Sequence, residues 1–110
     1  MATTYKNGQV QGTASTGTYS TLYNTGGATT AVVSSIVVTN TASTAALYRI
    51  GIMATAGTPA AANWVVYDST IQANDTVCLT LGITLSNTQY IRVSSSANTV
   101  TFSSYISEIS

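Results

Sequence analysis

The chain has no histidine, one cysteine, one proline and only six charged side chains in 110 residues. Each scarcity removes a class of chemistry. Without histidine there is no Ser-His-Asp triad, no Cys-His nucleophile and no metal site built on imidazole. Cys78 alone forms no intramolecular disulfide, which suits a reducing compartment, and its setting in Val77-Cys78-Leu79 predicts a buried or half-buried, unreactive thiol. Charged residues make up 5% of the chain, against about 25% in an ordinary globular domain. Lys6, Arg49 and Arg92 are the whole basic complement, too few and too dispersed to neutralise a nucleic-acid backbone or to dock on an anionic membrane. No apolar run is long enough to cross a bilayer, and the N-terminus lacks the apolar stretch of a signal peptide, so the chain is expected to act without export.

The three acids offer little more. Asp68 and Asp75 flank a turn, and a carboxylate pair is the minimum for glycoside hydrolysis or for a sparse calcium site. Aspartates at strand ends more often accept hydrogen bonds from turn N–H groups, and that reading is preferred. Lys6 among serines permits a Ser-Lys dyad only on paper, and no glycine-rich phosphate loop joins a strand to a helix. The expectation is a protein that is not an enzyme and holds no cofactor and no metal.

What the chain has in abundance is hydroxyl: 21 threonines and 14 serines. A hydrophobic fraction of 45% and a mean hydropathy of +0.26 argue that this polar, uncharged sequence folds. At this length one domain with one core is feasible without disulfides. From residue 19 onward the pattern is of strands and turns, with no helical period. Residues 19–23 read as a short strand, followed by the turn cluster Asn24-Thr25-Gly26-Gly27. Residues 31–40 are rich in β-branched side chains, with Ile36 and Val38 facing inward. Residues 45–53 set Tyr48, Ile50 and Ile52 against Arg49 and Gly51. Residues 54–62, with Pro59, read as a loop, and 63–69 as a strand opposing Trp64 and Val66 to Val65 and Tyr67. Beyond Asn74-Asp75, Val77, Leu79 and Leu81 alternate with hydroxyls and Cys78. After the corner Ser86-Asn87-Thr88, residues 90–95 and 100–109 close the chain, the last with Val100, Phe102 and Ile106 inward.

Seven or eight strands without crossover helices predict an all-β fold, a single antiparallel β-sandwich over residues 19–110. Short, meander-like connections and Tyr90 in the place of a tyrosine corner favour an immunoglobulin-like topology over a jelly roll. Residues 1–18 are small and polar, with Tyr5 and Val10 as the sizeable apolar groups. Ordering eighteen residues costs roughly 18–36 kcal/mol, equivalent to about 700–1,400 Å² of apolar burial. That exceeds what these side chains can bury on their own domain, so 1–18 is read as an N-terminal arm, mobile or lying on another subunit.

A charge-poor hydroxyl surface is cheap to desolvate and therefore suited to association, and an assembly also occupies exposed sheet edges. The aromatics Tyr19, Tyr23, Tyr48, Trp64, Tyr67, Tyr90 and Tyr105 are assigned mainly to core and rim, with a sugar-stacking platform as the alternative.

The opening Met1 to Lys6, the stretch Thr30 to Val38, Ala73-Asn74-Asp75-Thr76-Val77 leading into Leu79 to Leu85, and the ending Phe102 to Ser110 resemble small virion structural proteins of tailed bacteriophages, cyanophages in particular. The resemblance covers nearly the whole chain and rests on structural patterns, not catalytic signatures. It implies a particle protein assembled in the host cytoplasm, most simply a capsid decoration (cement) protein stabilising the head. Its partners would be copies of itself, with a trimer favoured, and the major capsid protein or other virion proteins. The alternative is a tail or fibre module contacting host surface glycans. Candidate assembly contacts are Thr4, Tyr5, Lys6, Val10, Arg49 and Trp64.

Overall fold

The densest β-branched run of the sequence becomes the longest strand, and the others assemble around it. The computed structural model describes residues 3–25, 30–55, 57, 59–80, 82–86 and 88–109. Met1, Ala2, Gly26, Gly27, Leu81, Asn87 and Ser110, which carry parts of the expectations above, lie outside the described residues. The strands are β1 (Thr3–Gln11), β2 (Ser20–Asn24), β3 (Thr30–Asn40), β4 (Ala46–Met53), β5 (Trp64–Ile71), β6 (Thr76–Leu79), β7 (Ile83–Leu85), β8 (Tyr90–Ser95) and β9 (Val100–Ile109), with one 3-10 turn at Ala61–Asn63.

They form two antiparallel sheets. Sheet A runs β1-β9-β3-β6, with β7 pairing further along the same side of β3, and sheet B runs β2-β8-β4-β5. Counting β6 and β7 as one interrupted position gives eight strands, four to a sheet. The chain is thus an all-β sandwich. Its topology corrects the immunoglobulin-like preference: successive strands alternate between sheets except for the β4–β5 hairpin and the β6–β7 pair, so β1 and β2 are not neighbours, and the order is that of a jelly roll. Connection length misled because four extended residues span about 13 Å. That is enough either to turn a hairpin or to cross the roughly 10 Å between packed sheets.

Ile36, Val38, Ile50, Ile71, Leu85, Ile91, Val93, Val100 and Phe102 are fully buried between the sheets, at the parity the period-2 pattern demands. Tyr48 meets Phe102 edge-on, with centroids 6.3 Å apart, tying sheet B to sheet A. Leu22 and Tyr23 are consecutive yet both buried, because β2 carries an extra residue between Thr21 and Tyr23 in its pairing with β8.

The segment expected to be an arm is largely part of the sandwich. Thr3–Gln11 pairs with β9 residue for residue from Thr3↔Ile109 to Gln11↔Thr101. Apolar burial alone does not account for the docking, which hydrogen bonding largely supplies. Ladder bonds to β9 pair one side of the β1 backbone, Val10 packs half-buried against the core, and buried hydroxyls reach to β1 and to the segment that follows it. Ser95 Oγ donates to Thr13 O (2.9 Å), Ser94 Oγ to Thr16 O (3.0 Å) and Ser104 Oγ to Gly8 O (3.4 Å). The chain also passes too close for a side chain at two points: a Cβ on Gly8 would lie 2.4 Å from Leu22 O, and one on Gly12 2.1 Å from Ser95 Oγ. No helix among the described residues is long and apolar enough to cross a membrane.

Candidate functional site

Strand register decides which side chains the two outer faces present. On sheet A, inward positions such as Val33, Ile36, Val38, Phe102 and Ile106 fix the opposite parity as outward. That outer face carries Tyr5, Asn7, Gln9 and Gln11 from β1, Thr101, Ser103, Tyr105 and Ser107 from β9, Val32, Val37 and Thr39 from β3, and Thr76 and Cys78 from β6. None of the six charged residues stands on it. Lys6 and Glu108 lie at the inward parity, where the ammonium sits 3.2 Å from a carboxylate oxygen. Asp75 precedes β6 and accepts the Thr76 backbone N–H at 2.9 Å. Arg49, Asp68 and Arg92 belong to sheet B.

Sheet A therefore offers an uncharged face of hydroxyls, amides and phenols, with Tyr5 81% exposed and Tyr105 43% exposed. Two open clefts run along its β1 side. Tyr5, Lys6, Asn7 and Tyr105 line one, and Gln9, Val10, Gln11 and Thr101 to Ser103 line the other. Cys78 is exposed on this face, correcting the expected burial. Its apolar neighbours Val77 and Leu79 point inward, so the alternation turns the thiol out.

The outer face of sheet B has the opposite character. Arg49 Nε and an Nη donate to the two carboxylate oxygens of Asp68 at 2.6 and 3.0 Å, while the other Nη donates to Thr16 O (3.2 Å) and Tyr19 Oη (3.1 Å). The guanidinium also lies 4.2 Å from the Tyr67 ring centre and 5.6 Å from that of Trp64. Trp64 stands edge-on to Tyr67 at 5.0 Å and tilted to Tyr19 at 5.8 Å. This bidentate hydrogen bond to Arg49 holds the Asp68 carboxyl below the usual range and strengthens the guanidinium's grip on its proton. Arg92, one strand away, donates to Thr21 Oγ1 (2.6 Å), Tyr19 O (3.2 Å) and Gly57 O (3.3 Å).

Sequence parity placed Trp64 and Tyr67 on opposite faces, and the structure brings them together. Register shifts between Tyr48 and Ile50, and between Ile50 and Gly51, insert extra residues in β5, and Asp68 takes up a positive φ of 52°. Aspartate tolerates that conformation better than most residues, which is the one signal the sequence offered. The considered Asp68–Asp75 pair does not form as a site, since Asp68 is given to Arg49 while Asp75 leads into the other sheet. Among the described residues no cluster of three or more His, Cys, Asp or Glu residues is positioned to hold a metal.

Of the candidate contacts, Thr4, Tyr5, Lys6 and Val10 fall together on β1 at the border of the uncharged face. Arg49 and Trp64 fall together on sheet B, Arg49 committed to its own chain and Trp64 half-buried between two tyrosines. Glu108, which the sequence did not single out, joins the sheets: it accepts from the Tyr23 hydroxyl as well as from Lys6. The hydrogen bond from Tyr23, more than the Lys6 charge, holds the Glu108 carboxyl down, and burial is the main reason the Tyr23 phenol is pushed up.

No family model matches the sequence, and no curated protein matches it. Among solved structures, a chain in the structure of infectious bursal disease virus, Gx strain, is similar, with a TM-score of 0.52 and 11% identity. The match covers 97% of this chain and 36% of that one, so it is to part of a longer viral chain. At this identity the likeness is one of fold. It is compatible with the two-sheet β-sandwich, whose jelly-roll order rests on the strand pairing.

Proposed function

We propose that this protein is a virion structural protein and, more finely, a capsid decoration protein of a tailed bacteriophage that reinforces the head through contacts among its own copies and with the shell. The observation that carries the reading is the uncharged outer face of sheet A, spanning four strands and bordered by β1. Burying an unpaired ionic group costs several kcal/mol, roughly, whereas hydroxyls and amides exchange water for neighbouring polar groups at little net cost. The fold supports the reading, since jelly rolls build many viral coats and a virus chain shares this one. Such a protein acts mechanically: repeated interfaces of about 800 Å² per partner oppose expansion of the shell. It transforms no substrate and needs no cofactor.

A second reading has its own observation. The Tyr19–Trp64–Tyr67 cluster, with Tyr67 57% exposed beside a guanidinium–carboxylate pair, has the makings of a glycan platform on a tail or fibre module. Copy number in purified particles, by quantitative mass spectrometry, separates the two. Copies in the hundreds support decoration of the shell, and about six to a few dozen support a tail or fibre position. Absence from the particle rules out both.

A further inference from the structure

The sandwich has four sheet edges, and three are blunted in the ways β proteins use to avoid pairing with strangers. On sheet A the β6/β7 edge is broken into pieces of four and three residues. On sheet B, β2 has five residues and a register shift, and β5 carries two register shifts, a positive-φ aspartate and an ion pair. β1 is different. It runs nine residues in unbroken register, without proline or bulge, and among the described residues no strand lies beyond it. Its only charge, Lys6, is already paired with Glu108 of its own chain. Both open clefts described above flank this strand.

We infer that the β1 edge is a self-association site: β1 of one chain pairs antiparallel with β1 of a second copy about a two-fold axis, joining the two A sheets into one continuous sheet. The register follows from the strand itself. Only an axis through Asn7 pairs all nine residues, setting Thr3 opposite Gln11, Thr4 opposite Val10, Tyr5 opposite Gln9 and Lys6 opposite Gly8 of the second copy. Lys6 then meets a residue with no side chain, whereas a slip that placed the axis on Lys6 would set two ammonium groups against each other and shorten the ladder. Tyr5 and Gln9 share the outward parity, so each phenol lies beside the amide of the other chain over the clefts. A second copy fits better than a charged partner strand, because the face this edge borders carries no charge and the one charge on the edge, Lys6, is already held by Glu108 of its own chain.

The contact names one interface of the assembly proposed above but is testable on the purified full-length chain alone, so its failure and that of the virion reading are separate results. Asn7 is exposed at the outward parity, and changing it leaves the core untouched. Sedimentation velocity at about 0.5 mM protein, a concentration that detects even weak pairing, should show the wild type self-associated. Asn7→Lys and Asn7→Asp, each placing like charges across the axis, should each weaken association about tenfold or more in low salt. Mixing the two variants should restore it, while Thr70→Lys on the β5 edge should not change it. Circular dichroism confirms that each variant is folded. A monomeric wild type, association indifferent to both Asn7 variants, or no recovery on mixing would overturn the proposal; a monomer that still binds particles through β1 would assign the edge to another virion protein.

Discussion

Asn40 is 1% exposed and uses its whole hydrogen-bonding capacity. Its amide donates to Thr44 O (2.9 Å) and Gln72 O (3.3 Å), and its oxygen accepts from Ala42 N (3.1 Å) and Thr99 Oγ1 (3.2 Å). One side chain thus ties together the β3–β4, β5–β6 and β8–β9 connections at one end of the sandwich. Asn40→Ala should cost about 2–4 kcal/mol of unfolding free energy by urea titration, because several polar groups lose a buried partner at once. A cost below about 0.5 kcal/mol would show that water replaces the amide without loss. The ionisable residues predict a second result. Glu108 and Asp68 ionise more readily in the folded chain, so their stabilisation is complete above the ordinary carboxyl values of 4.5 and 3.8 and is lost as pH falls below them. Tyr23 holds its proton more tightly when folded, so its contribution is present below 10.0 and lost above. With no histidine in the chain, the melting temperature should be flat between about pH 5.5 and 9 and fall on either side. A slope through pH 6–7 would contradict this assignment.

At the scale of the strand, the sequence was informative wherever alternation was regular. The β3, β4, β8 and β9 segments were legible to within a residue or two, as were the inward parities of Ile36, Val38, Tyr48, Ile50, Val100 and Phe102, because a half-buried strand records its environment every second residue. Three features were not legible. The two bulges of β5, one of them at the positive-φ Asp68, are local backbone choices, and they reversed the relation between Trp64 and Tyr67. The sheet order depends on which gap each short connection crosses, which length does not encode. The docking of β1 rests on main-chain and hydroxyl hydrogen bonds that hydropathy does not see. That docking carries a consequence for truncation. Deleting residues 1–11 should lower the urea midpoint and cause aggregation visible by light scattering, since it exposes the ten-residue edge of β9. A truncated chain as stable and soluble as the intact one would restore the picture of a detachable arm.

For the molecule as a whole, five of the six charges are engaged in a few intramolecular contacts: Lys6 with Glu108 across a strand pair, Arg49 with Asp68, and Arg92 on neighbouring oxygens. One sheet is left with an outer face that meets another surface without desolvating an ion. The six candidate contacts read from the sequence divide accordingly: four lie on the β1 border of that face and two in the cluster on the opposite sheet. The proposed virion role and this surface lead to the same account, in which adhesion is short-range and uncharged. Retention on purified particles across a sodium chloride series is the most direct test, because at about 1 M salt the screening length falls to about 3 Å. The account predicts that the bound fraction is unchanged from low salt to 1 M and falls only in denaturant; release by salt alone would contradict it.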